Sequence, residues 1–63
     1  MSSPADALHK LRHDLSNPLA AILAETQLLL LNGDKYDEET LLSLRQIEAL
    51  ARRMRQLLQS LDA

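Results

Sequence analysis

The chain reads as all-α: a helical hairpin that pairs with a second copy to form a homodimeric antiparallel four-helix bundle. Three observations predict this. Leucines recur at three- and four-residue spacing along two long segments. One short polar stretch, holding the only glycine, separates them. A chain of 63 residues with no cysteine and a single aromatic residue cannot bury an adequate core alone, so two hairpins with wide apolar faces are expected to complete each other. The alternative cover for those faces is another domain of a longer chain. The whole length, residues 1–63, reads as one domain.

Helix one begins at Ser3, a good N-cap, with Pro4 at the first helical position and Asp6 where a carboxylate meets the positive end of the helix dipole. Its apolar stripe is Leu8, Leu11, Leu15, Leu19 and Ile22. The helix is expected to span about 4–31 and to end at Asn32-Gly33, where a left-handed residue closes it. Pro18 falls inside this span and removes one backbone hydrogen bond, so a kink is expected there. The leucine spacing continues in phase past it, which favours one kinked helix over two separate ones.

A polar loop over about 32–37 follows. Asp37 is the next N-cap, with Tyr36 and Leu41 at the two positions of a hydrophobic staple. Helix two then covers about 38–61. Its seam is Leu44, Ile47, Ala51, Met54, Leu58 and Leu61, widened by Leu50 and Leu57 into a bundle face. Arg45, Arg52, Arg53 and Arg55 read as a solvated face, those near the C-terminal half complementing the dipole.

The net charge of −2 is spread over a mixed surface without a basic block, so no nucleic-acid partner is expected. No run approaches the roughly 18 to 20 apolar residues of a membrane span, and the N-terminus lacks a secretory signal. This segment is expected to make no direct membrane contact and to be cytoplasmic, although a longer parent can carry an anchor elsewhere.

The chemistry concentrates in His13-Asp14-Leu15-Ser16-Asn17-Pro18-Leu19. On a helix His13 and Asn17 lie about 40° apart on one face, with Asp14 on the flank of the same turn. His13 points roughly 140 to 160° away from Leu8, Leu11 and Leu15, so the imidazole is expected to face water. His9, one turn earlier, brings a second imidazole beside Asp6. However, Lys10 stands where the zinc pattern H-E-x-x-H needs a glutamate, and no metal is expected.

This run, the helix around it, the short loop and the leucine-rich second helix together resemble the dimerisation and histidine phosphotransfer domain of sensor histidine kinases. The pattern of that family is His, then Glu or Asp, two variable residues, Asn or Thr, Pro and an aliphatic residue, and every position is met, with Asp14 as the acidic variant. The resemblance implies that His13 accepts the γ-phosphoryl group of ATP and later passes it to an aspartate of a response regulator. It implies that Asp14 orients the imidazole and acts as general base, and that Asn17 helps place the water that dephosphorylates the regulator. Ala20 and Ala24, within about 20° of the His13 direction, and Gln27 nearby form an expected docking strip for the regulator's receiver domain.

By that resemblance the chain is part of a histidine protein kinase, yet it lacks the glycine-rich ATP-binding domain, having one glycine in all. ATP and its Mg²⁺ are therefore implied for a separate domain, with no cofactor held here. The chain is either a piece of a larger kinase or a free-standing module served in trans. The rival reading is a purely structural dimerisation hairpin, in which His13→Gln has no effect on signalling.

Overall fold

A computed structural model describes residues 3–61, so residues 1–2 and 62–63 of the expected domain lie outside the description. Helix α1 spans Pro4–Leu30 and helix α2 spans Glu38–Ser60, joined through a short 3₁₀ turn at Gly33–Lys35. Together they make a rod of 52 × 16 × 13 Å. Its radius of gyration, 15.2 Å, exceeds the roughly 11 Å of a compact chain this long. The expected helical hairpin is what forms.

Both N-termini are set by local chemistry. Ser3 Oγ accepts from the Asp6 N–H at 3.1 Å, while Asp6 Oδ2 accepts from the Ser3 N–H at 3.3 Å. This reciprocal box satisfies two donors that the first turn leaves open, with Asp in the place more often held by Glu. At α2 the Asp37 carboxylate accepts from the Thr40 N–H at 2.9 Å. Tyr36 and Leu41, the staple positions, are both half-buried.

The end of α1 corrects one expectation. No described residue has a positive φ, glycine included, so Asn32-Gly33 does not close the helix by a left-handed residue. The last carbonyls are instead taken up by tighter turns, with Leu31 N–H donating to Leu28 O at 3.3 Å and Asn32 N–H to Leu29 O at 3.1 Å. Glycine serves close approach here: a Cβ on Gly33 would stand 3.2 Å from Leu41 Cδ1 at the start of α2.

The apolar faces also need correction, because each helix carries two seams where one was expected. The line of α1 that packs on α2 is Arg12, Ser16, Leu19, Leu23, Thr26 and Leu30, all buried or half-buried. It alternates fours and threes as a heptad seam should, yet three of its members are polar, which hides it from hydropathy. Leu8, Leu11, Leu15 and Ile22 lie on the next seam round and stay exposed. On α2 the inner seam runs through Leu41, Leu44, Ala51 and Leu58, while Ile47, Leu50, Met54 and Leu57 are exposed beside it.

The core within one hairpin is consequently small: Leu19, Leu23 and Ala51, with Leu58 packed against them. Such a core cannot offset the conformational entropy of ordering two long helices. Beside it the outer seams form an open apolar groove, in which Leu15, Pro18 and Ile22 of α1 face Ile47, Leu50 and Met54 of α2. Among the described residues no helix is long and apolar enough to cross a membrane.

Candidate functional site

α1 passes without interruption through Pro18, so the residues before and after the proline belong to one helix surface. His13 and Asn17 are both exposed, one turn apart, with Asp14 exposed on the flank. Ala20, Ala24 and Gln27 continue the same strip toward the loop, and all three are exposed. The groove residues Leu15, Pro18 and Ile22 lie roughly 140 to 180° round the helix from His13. The imidazole thus stands on the opposite side of α1 from the apolar groove.

Among the described residues the His13 ring makes no hydrogen bond or ion pair, and neither does the Asp14 carboxylate. Adjacent residues of a helix diverge by about 100°, so His13 and Asp14 meet only when their exposed side chains turn toward each other. His9 differs. An Arg12 guanidinium nitrogen lies 3.4 Å from His9 Nδ1. Arginine only donates, so that nitrogen must accept, and the proton of a neutral His9 ring sits on Nε2. Of the two imidazoles, only His13 has both ring nitrogens open to a reaction partner.

The turn holding His13 contains a residue that periodicity missed. Ser16 is half-buried on the inner seam, and its Oγ donates to the Arg12 carbonyl at 2.7 Å. The four-three spacing of residues 12, 16, 19 and 23 would have placed it there had polar residues been admitted to the seam. Farther along, Thr26 Oγ1 donates in the same manner to Ile22 O at 2.7 Å. The arginines of α2 are exposed, and Arg52 pairs with Glu48 at 3.5 Å.

Among the described residues no three His, Cys, Asp or Glu side chains gather where they could hold a metal ion. What the surface offers is a solvated nucleophile with a carboxylate beside it and an amide one turn below, on a convex helix face. Such a convex face cannot enclose a small molecule, so any reaction partner has to be presented to it by another surface.

The family model described as the His Kinase A (phospho-acceptor) domain matches residues 5–63, nearly the full chain. No curated protein matches the chain, and no solved structure does.

Proposed function

The chain belongs to the His Kinase A phospho-acceptor domain family, hairpins that dimerise into four-helix bundles and serve histidine kinases, and from that premise we propose that His13 is the phosphoacceptor. The observation that carries this reading is the exposure of His13, at the head of H-D-L-S-N-P-L, on the side of α1 away from the apolar groove. Pairing through that groove leaves the imidazole accessible.

In the first step a lone pair on one ring nitrogen attacks the γ-phosphorus of ATP. The bond to the bridging oxygen breaks, ADP leaves with the electron pair, and a phosphoramidate remains on His13. Asp14, turned toward the other ring nitrogen, stabilises the imidazolium that develops and takes its proton. In the second step a receiver-domain aspartate oxygen attacks the same phosphorus, the P–N bond breaks, and imidazole departs as it regains a proton.

Asn17 carries an amide that can both donate and accept, suited to placing a water for removal of phosphate from the regulator. Ala20, Ala24 and Gln27 form the strip on which the receiver domain docks, their small or flexible side chains allowing close approach. ATP and its Mg²⁺ come, on this reading, with a separate ATP-binding domain. Dependence on ATP and on a regulator places this segment in the cytoplasm.

The test mixes the chain with ATP and a histidine-kinase ATP-binding domain and looks for acid-labile, alkali-stable phosphate. The expected result is phosphate on the wild-type chain and none on His13→Gln. A folded dimer that stays unlabelled beside an active kinase domain would leave dimerisation as the whole function.

A further inference from the structure

The peptide carbonyls on either side of His13 depart from regular helix in opposite ways. Pro18 has no N–H, so the Asp14 carbonyl lacks the donor that a helix supplies four residues on. The Arg12 carbonyl has one donor too many, because Ser16 Oγ reaches it at 2.7 Å in addition to the helical N–H. The ring closed by this extra bond runs from residue 12 to residue 16. It therefore spans His13, and it ends two residues before the proline.

Ser16 itself is half-buried toward α2, whereas His13 is exposed, so the hydroxyl lies off the face that a kinase domain or a receiver would cover. The one similar bond on α1, from Thr26 to Ile22, crosses a turn with neither proline nor reactive group. It establishes that a threonine can make this bond in this helix.

We propose that Ser16 is a positioning residue for His13: its hydroxyl, back-bonded to the Arg12 carbonyl two residues ahead of the carbonyl that Pro18 leaves open, sets the bend of the turn that carries the imidazole, and so narrows the directions in which the imidazole meets the phosphoryl donor. The inference rests on His13 being the phosphoacceptor. In-line attack needs the reacting atoms aligned and within about 3–3.5 Å. A turn without that bend lowers the fraction of encounters that reach this geometry without changing how tightly the donor domain binds. Loss of the bond should thus reduce the maximal rate and leave half-saturation alone.

The full chain and its Ser16→Ala and Ser16→Thr variants would be phosphorylated from ATP by a histidine-kinase ATP-binding domain titrated in trans. Ser16→Ala is expected to lower the maximal rate about fivefold, with half-saturation within about twofold, and Ser16→Thr to recover at least half of the rate. In parallel, amide exchange at Asn17 should differ from wild type in Ser16→Ala and not in Ser16→Thr. Alanine is the better helix former, so loss of helix is not the expected consequence, and circular dichroism checks this. Equal rates in wild type and Ser16→Ala overturn the proposal, as does an equal loss in both variants. A wild-type chain that takes up phosphate while Ser16→Ala behaves identically defeats this inference alone. A wild-type chain that takes up none defeats the phosphoacceptor reading and this inference with it.

Discussion

At the scale of single residues, the placement of the candidate site was largely legible in sequence because its logic is local. His13, Asp14 and Asn17 stand within two turns, and helical geometry alone puts two of them on one water-facing strip, where the structure has them. Ser16 and Arg12 were not legible, since their half-burial depends on how α1 is rotated against α2, a tertiary fact that polar side chains do not advertise. The division of labour within the strip yields a prediction. On the proposed reading Asn17, a full turn from His13, takes no part in the attack on ATP. Asn17→Ala should leave labelling of His13 within about twofold of wild type, while slowing dephosphorylation of a phosphorylated receiver domain at least tenfold, a typical minimum for losing a group that positions the attacking water. Timed labelling and phosphate release with wild type and Asn17→Ala measure this, and a parallel loss in both reactions would place Asn17 in the kinase step instead.

At the scale of elements, the helix starts were readable and the helix rotations were not. Ser3-Pro4 and Asp37 set their N-termini through contacts three residues long, so nothing distant can override them. The closing turn of α1 brings Gly33 against Leu41 of α2, a tertiary approach that no local signal announces. Likewise, a helix that contacts two neighbours carries two apolar seams, and reading Leu8, Leu11, Leu15, Leu19 and Ile22 as one stripe merged them. The Asp37 cap also makes α2 sensitive to acid. The Thr40 hydroxyl, and next its backbone N–H, hold the Asp37 carboxyl below its usual 3.8. A carboxyl depressed in the folded state binds fewer protons there than in the unfolded chain, so its stabilisation is complete above the usual value and disappears as pH falls through the lowered one. Asp37→Asn keeps a capping oxygen without titrating. The melting temperatures of the two proteins should run parallel above about pH 5, and the wild type should lose its advantage below about pH 4. Curves that stay parallel down to pH 2 would remove Asp37 from the acid response. Ser3→Ala, at the other cap, should cost about 1 kcal/mol at any pH.

At the scale of the whole molecule, the exposed seams decide what the hairpin can be. Ile22, Leu50, Met54 and Leu57 are each more than half exposed, an apolar face left without a partner within the hairpin. In this family the cover is a second copy, which produces the four-helix bundle, and the groove is the face on which this hairpin is expected to pair. Symmetry then magnifies any change at the contact, because a residue on a two-fold interface is altered twice. Ile47 is the sharpest probe: it lines the groove from α2 and is absent both from the inner core and from the His13 strip. An aspartate there would bury a charge with no partner in each half of the interface, a cost of several kcal/mol per dimer. Since each 1.4 kcal/mol or so is tenfold, Ile47→Asp should weaken dimerisation at least about 100-fold by sedimentation equilibrium. Its helicity should become concentration-dependent as the small inner core is left to hold the hairpin alone. An Ile47→Asp protein that stays a dimer at low micromolar concentration would mean that the bundle closes through some other face. If it does dissociate, phosphorylation of His13 by a kinase domain in trans distinguishes two roles for the bundle. Labelling that persists in the monomer would make the dimer an organiser of domains, and labelling that vanishes would make the paired helices part of the reacting surface itself.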